Sequence, residues 1–200
     1  GAVVNPAVWR GSTHLYPDMA ATAQLLGDLA EDLVLAGHEV TALCGRGSYA
    51  ALGNHNLPSK EVWRGITIHR VWCTNLGRNN NLGRMCDYLS YLFSAFLFVL
   101  LSKSLDIAVC LSTPPLVAIL GLAAKMRGSR FVYKVEDLYP DIAVALNTLK
   151  PGFVTRFLES VSKLLLSKAD LVIALDDRMG QKVEERGAGR VEVIPNWSDG

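Results

Sequence analysis

The chain has 200 residues, half of them hydrophobic, and its 20 basic and 19 acidic residues give a formal net charge of +1. This length suits one α/β domain with a core large enough to need no disulfide or metal to stabilise it. The charges are interspersed without a Lys/Arg cluster, which argues against a nucleic-acid-binding protein.

The N-terminal region predicts a strand, a helix and a second strand. The first strand is hard to place, because Pro6 in the apolar run 2–9 removes a donor from a strand ladder. We expect this strand to end near Tyr16. Apolar residues at helical spacing predict a helix over residues 22–36. The short apolar run 39–44 predicts a buried strand.

The centre of the chain predicts two antiparallel edge strands, residues 61–64 and 66–72, joined near Gly65. A loop rich in Asn and Gly follows. A long helix then extends from about residue 82 to residue 103.

The uncharged part of this long helix, residues 88–101, is too short to span a bilayer. A core helix is the default interpretation. A helix that partly enters a membrane surface is the competing one, supported by Arg78, Arg84 and Lys103 at its flanks.

The second half of the chain alternates apolar strands with helices. Strands that are apolar throughout and separated by helices are typical of a parallel sheet covered on both faces. The predicted fold class is therefore α/β, with a Rossmann-like, doubly wound, mostly parallel sheet and helices on both faces. The strands are predicted at 106–111, 130–135, 170–175 and 190–194, and the helices at 116–127, after Pro140, at 152–168 and at 176–186.

Cysteine and histidine usage points to a reduced protein without a metal. The four cysteines are far apart and form no CxxC pair, so we expect buried, reduced thiols and a reducing cytosolic compartment. The four histidines are scattered, which gives a metal site little support. The N-terminus lacks the basic-then-apolar order of a signal peptide. The cysteines are Cys44, Cys73, Cys86 and Cys110.

Polar segments follow the predicted strands. In open parallel sheets, ligands bind outside the carboxyl ends of the strands, so these segments are the candidate site. They are Tyr16-Pro17-Asp18, Ser112-Thr113-Pro114-Pro115, the run from Glu136 to Asp141, and Asp176-Asp177-Arg178.

The first of these segments leads into a helix start, where exposed amides favour an anion. Small residues over 20–23 would let a ligand approach the backbone closely. The alternative is that Asp18 or Thr22 only caps the helix. The candidate substrate-binding residues of this segment are Tyr16, Asp18, Ala21, Thr22 and Gln24.

The carboxylates Glu136 and Asp137 are candidate catalytic residues. Adjacent residues cannot both point into one pocket, which disfavours a paired-carboxylate hydrolase. One of them is expected to orient an acceptor hydroxyl, and the other to cap a helix or bind the backbone. Thr113 and Tyr139 are candidate substrate-binding residues beside them.

The third acidic segment opens the last predicted helix. Asp176 stands at an N-cap position, and Asp177 suits the first turn electrostatically. Asp176 and Arg178 are also candidates to line the cleft. For Asp177 the purely structural interpretation is preferred.

Residues 45–50 formally match the dinucleotide fingerprint G-x-G-x-x-A. Turn-forming residues follow where the fingerprint needs a helix, and the next strand has no acid at its carboxyl end. We interpret the match as chance.

Several segments, taken in order, resemble the N-terminal domain of family 4 glycosyltransferases of the GT-B fold. The likeness is closest to bacterial enzymes of surface-polysaccharide assembly, of the N-acetylfucosamine transferase type. The similar segments are residues 16–26, 29–33, 36–41, 65–72, 113–115, 136–141 and 193–197.

The resemblance implies a retaining transferase of polysaccharide biosynthesis, lipopolysaccharide included. It would move a sugar from a nucleotide-sugar donor to a glycan or lipid-linked acceptor without a metal or other cofactor. Glu136 and Asp137 would lie near the reacting sugar, although many family members have a histidine where this chain has Glu136.

The resemblance also implies how the chain is organised. Residues 1–194 would be the acceptor domain, and residues 195–200 would begin a linker to a C-terminal domain of the same polypeptide that binds most of the donor. Asn196 and Trp197 would be interdomain residues, and the chain alone would be inactive. The expected location is the cytoplasm, with peripheral contact at the inner face of the cell membrane. The alternative is a non-catalytic Rossmann-like module that binds a nucleotide or sugar.

Overall fold

A computed structural model gives the fold of the chain. It describes residues 2–5, 21–46, 58–76, 81–103, 105–114, 116–139, 141 and 152–196, with the backbone alone for 2–5, 21–24 and 81. In these residues eight strands form one sheet in the order β3-β4-β2-β1-β5-β6-β7-β8. The strands are β1 (Ala2–Asn5), β2 (Val40–Gly45), β3 (Lys60–Trp63), β4 (Ile66–Val71), β5 (Ile107–Leu111), β6 (Arg130–Lys134), β7 (Leu171–Ala174) and β8 (Val191–Val193).

Every neighbouring pair in the sheet is parallel except β3 and β4, which are antiparallel at one edge. Arg64 and Gly65 join this pair with positive φ angles of 47° and 83°. Positive φ at both central residues is what a two-residue hairpin with the favoured twist requires. The predicted edge hairpin is confirmed.

Five helices in the described part of the chain cover the sheet. Buried residues of β2 alternate between two clusters: Ala42 and Cys44 pack with Leu26 of the first helix, and Leu43 packs with Tyr91 of the second. Since successive strand residues point to opposite faces, these helices lie on opposite faces of the sheet. The predicted doubly wound fold is confirmed. The helices are α1 (Ala21–Leu35), α2 (Asn81–Leu101), α3 (Ile119–Met126), α4 (Phe153–Lys168) and α5 (Asp177–Glu185).

The first strand departs from the sequence-based prediction. It is Ala2–Asn5, and it lies in the centre of the sheet between β2 and β5. The prediction of a first strand ending near Tyr16 is therefore wrong. The four residues of β1 include no proline, so every one of them can donate to the ladder. The predicted helix after Pro140 lies almost entirely outside the described residues.

The cysteines are all free thiols, but they differ in burial. Cys44 and Cys110 are buried, and burial raises the pKa of each thiol to about 12. Cys73 is half-buried. Cys86 is exposed, because it lies on the outer side of α2, and the prediction of a buried thiol is wrong there.

Helix α2 has a buried side and an exposed side. Tyr91 and Ala95 are buried against the core, whereas a row of apolar residues spaced three or four apart faces solvent. Residues 82–101 are long and apolar enough to cross a membrane by length and composition alone, and 11% of this stretch is buried. Core helices of soluble proteins can have the same length and composition, but they are mostly buried. The exposed row, hereafter the α2 stripe, is Leu82, Met85, Leu89, Phe93, Leu97 and Leu101.

Helix α3 approaches β6 closely at Gly121. A Cβ atom there would lie 2.1 Å from Cε2 of Phe131, whose side chain is fully buried. We therefore expect Gly121→Ala to lower the free energy of unfolding by about 1–3 kcal/mol through overpacking. Gly27 of α1 is the matched control, because a Cβ atom there meets nothing within 4 Å. Gly27→Ala should raise stability by roughly 0.5–1 kcal/mol through helix propensity. Urea denaturation checks both, and equal midpoints for the two variants would contradict the close approach.

Candidate functional site

The connectivity of the sheet places its switch point between β1 and β5. From β1 the chain passes to β2 on one side, and it later returns from β4 to β5 on the other side. Ligands of open α/β sheets bind at such a point, outside the carboxyl ends of the strands. The loops after β5 and β6 lie at this edge.

Ser112, the first residue after β5, joins these two loops. Its side chain is buried, and its Oγ accepts hydrogen bonds from the backbone N–H groups of Glu136 and Asp137, at 2.9 and 3.0 Å. Its own N–H donates to the carbonyl of Lys134 at 3.0 Å. Both candidate carboxylates are thus attached to a backbone that is fixed on the sheet.

The two carboxylates have different partners. The Thr113 hydroxyl donates to Oδ2 of Asp137 at 3.1 Å. Within the described residues, the Thr113 hydroxyl is the hydrogen-bond partner of the Asp137 side chain, through Oδ2. The sequence predicts Thr113 and Asp137 as separate candidates, and the structure brings them together.

Tyr139 lies close to this pair. Its pKa is raised, first by burial and then by the negative charge of Asp137. The pKa of Tyr88 on α2 is raised by burial and, to a smaller extent, by Tyr139. Tyr88 and Leu138, the neighbour of Asp137 in the chain, pack against the same buried cluster.

Glu136 belongs to a network that the sequence analysis did not find. Lys134 Nζ lies 2.9 Å from Oε1 of Glu136 and 2.5 Å from Oδ1 of Asn196. The side chains of Lys134 and Glu136 are only 6% and 13% exposed. The signal in the sequence is a lysine within the otherwise apolar end of a buried strand, which is costly unless the charge is paired.

The sequence profile described as "Glycosyl transferase 4-like domain" matches residues 21–197. The chain belongs to this family.

A solved structure is similar over almost the whole chain. It is the sucrose-phosphate synthase of Thermosynechococcus elongatus, with a TM-score of 0.62 and 13% sequence identity, covering 97% of this chain and 47% of that one. At this identity the likeness shows the fold alone, and it confirms the predicted α/β class. The chain spans about half the length of that enzyme. No curated protein matches the chain.

In this glycosyl transferase 4-like domain, Asp176 acts as a helix cap. Its Oδ1 accepts a hydrogen bond from the Met179 N–H at 2.7 Å, which is the N-cap geometry predicted from the sequence. Asp177 is exposed in the first turn of α5, and Arg178 is exposed beside it. Among the described residues, no hydrogen bond or ion pair joins the side chains of Asp176 or Arg178 to Thr113 or Asp137.

The other predicted residues are only partly described. Tyr16, Asp18 and Trp197 lie outside the described residues. Ala21, Thr22 and Gln24 occupy the first turn of α1. This turn lies at the carboxyl edge of the sheet, because α1 ends next to the start of the parallel strand β2.

Two further predictions concern other kinds of site. The formal dinucleotide fingerprint begins at Gly45, the last residue of β2, and residues 47–57 lie outside the described part. Within the described ranges, no group of three or more His, Cys, Asp or Glu residues could hold a metal ion.

Proposed function

We propose that this chain is the acceptor-side domain of a retaining glycosyltransferase that transfers a sugar from a nucleotide-sugar donor. The observation that carries the proposal is the Asp137 carboxylate, held by Thr113 at the switch point of a glycosyl transferase 4-like domain. The acceptor would be a glycan or lipid-linked sugar of polysaccharide biosynthesis. The resemblance to N-acetylfucosamine transferases supports an N-acetylhexosamine donor.

The proposed roles follow from the different partners of the two carboxylates. Oδ1 of Asp137 would accept a hydrogen bond from the acceptor hydroxyl and point its oxygen toward the anomeric carbon of the donor sugar. The acceptor oxygen gains a bond to that carbon on the face that the nucleoside diphosphate leaves, which retains the configuration, and the hydroxyl proton passes to Oδ1 of Asp137. Glu136 is paired with Lys134 and would shape the charge of the site without taking the proton. Amides in the first turn of α1 would face the donor phosphates.

A second domain would supply most of the donor contacts. The chain spans 47% of the solved enzyme that it resembles in fold, which supports a two-domain arrangement. Asn196 and Trp197 would begin the connection between the domains. The hydrogen bond from Lys134 Nζ to Oδ1 of Asn196 supports this role, because it holds residue 196 beside the sheet.

The test is a transfer assay on the intact gene product with a panel of nucleotide sugars and lipid-linked or glycan acceptors. Mass spectrometry detects the glycosylated acceptor, and the anomeric coupling constant in the NMR spectrum reports retention. Absence of transfer across the panel would refute the proposal. Tight nucleotide binding by the 200 residues alone, without transfer, would instead support a non-catalytic binding module.

We also propose that the domain lies in the cytoplasm against the inner face of the membrane through the α2 stripe. Phe93 is 64% exposed and Leu89 is 50% exposed, and the stripe runs along the whole outer side of the helix. One side of α2 is packed on the core and the other side is apolar and exposed. Such a helix is suited to lie in the membrane interface and not to cross the bilayer. Because Tyr88 of the same helix and Leu138, next to Asp137 in the chain, pack against one buried cluster, the stripe would bring the site to a lipid-linked acceptor.

We expect Leu89→Asp plus Phe93→Asp to lower binding to anionic liposomes more than tenfold in a flotation assay. Each exposed side chain contributes apolar area that the membrane can bury, and aspartate is repelled by anionic lipid. Phe157→Asp is the matched control, because Phe157 is 52% exposed on α4, outside the stripe. Equal flotation of the double variant and the unchanged chain would end the membrane proposal.

A further inference from the structure

A cavity lies toward the opposite end of the sheet from Asp137. Its volume is about 330 Å³, and its walls come from α2, α3 and the first residues of several strands, including Thr41 of β2 and Ala108 of β5. Phe98, Val99 and Leu120 are among the apolar side chains that line it. For comparison, an engineered apolar cavity of about 150 Å³ stays dry and binds benzene. The cavity is large enough for a hydrocarbon chain.

Two cations line this cavity at the solvent side. Lys103 and Arg127 are both exposed, and both are among the lining residues. Nη2 of Arg127 donates to the carbonyl of Ser102 at 3.4 Å, which holds the guanidinium group beside the end of α2. Asp106 lies nearby in the chain but is not a lining residue. The charge at the rim is therefore positive.

The interior wall carries no competing charge at neutral pH. His69 contacts Phe98 with ring centroids 4.9 Å apart. The pKa of His69 is lowered, first by burial and then by the charge of Lys60, which favours the neutral imidazole. An uncharged, apolar interior below a cationic rim is complementary to an amphiphile with an anionic head group.

The cavity and the α2 stripe share the last turns of α2. Leu97 and Leu101 of the stripe are exposed on the last turns of α2, and Phe98 and Val99 on the same turns line the cavity. The apolar lining from α2 is therefore within two residues of the stripe along the chain.

We infer that this cavity binds the hydrocarbon chain of an anionic lipid, with the phosphate or carboxylate group at Lys103 and Arg127. The inference does not depend on glycosyl transfer. The alternative role of the two cations is to neutralise the negative end of the α2 dipole, and the experiment separates the two.

The test is calorimetric titration of the chain with dodecyl phosphate below its micellar concentration. We expect one site per chain and a rise in Tm on binding. Dodecyltrimethylammonium, with the same chain and the opposite charge, should bind at least tenfold more weakly, and inorganic phosphate should show no binding. If inorganic phosphate binds as tightly as dodecyl phosphate, the site recognises a free anion and the inference fails.

Two kinds of variant locate the site. Arg127→Glu should weaken the binding of dodecyl phosphate about tenfold. Arg156→Glu, which changes an exposed charge on α4, should leave that binding unchanged. Ala108→Leu should fill the cavity and abolish binding while Tm is kept. If that variant does not fold, Val99→Phe fills the cavity from the helix side. If a folded Ala108→Leu or Val99→Phe variant binds dodecyl phosphate as tightly as the unchanged chain does, the inference is overturned.

Discussion

Lys134→Met should lower the free energy of unfolding by about 3–5 kcal/mol. Its ammonium group is paired with Glu136 in a site where both side chains are largely buried. Removing one partner leaves the other charge buried without compensation, which costs far more than the pair itself contributes. Guanidinium denaturation at pH 7 measures the change.

The double variant Lys134→Met plus Glu136→Gln is the control for this prediction. It removes both charges, so most of the lost stability should return. A loss below about 1 kcal/mol for the single variant would show that the ion pair does not matter for folding. An equal loss in the double variant would assign the effect to packing or to Asn196 instead of charge.

Asp137→Asn should lower kcat of the intact enzyme by about 10²–10⁴-fold, the range over which a positioned acid or base contributes. Stability should change little, because asparagine keeps the size of the side chain and an oxygen that can accept from the Thr113 hydroxyl. Steady-state kinetics together with a urea melt separate the two effects.

Two further variants are compared with Asp137→Asn. Thr113→Val removes the hydroxyl that holds Oδ2 and should cost less, about tenfold in kcat, since the carboxylate itself remains. Asp28→Asn makes the same chemical change on an exposed residue of α1 and should leave kcat unaltered. An unchanged rate in Asp137→Asn would remove this residue from the mechanism.

The repeating strands and helices were predictable because each depends on nearby residues. The apolar runs of β5, β6 and β7 and the helical spacing in α1 and α4 are local patterns. The N-cap of Asp176 is equally local, since it joins residues three apart. The place of β1 was not predictable from such patterns. Pro6 weakened its signal, and only pairing with distant strands fixes four residues in the centre of a sheet.

The location of the candidate site could be predicted from the sequence, but its individual hydrogen bonds could not. The carboxyl-edge rule places Thr113 near Asp137 without giving their hydrogen bond. The contact between Lys134 and Asn196 spans 62 positions of sequence, and no local pattern reports a pairing at that distance. Which side of α2 is buried and which is exposed could not be predicted, for a related reason. A helix that is apolar almost all round does not reveal which side the core will cover.

The contact of one ammonium group with two segments has a mechanical consequence. Lys134 Nζ reaches both Glu136 and Asn196, so movement of the backbone that leaves β8 must either carry the lysine with it or break a bond of 2.5 Å. A force on the backbone at residue 196 would thus reach Glu136 through the side chain of Lys134. The position of residue 196 and the charge environment of Glu136 are therefore coupled through the Lys134 side chain.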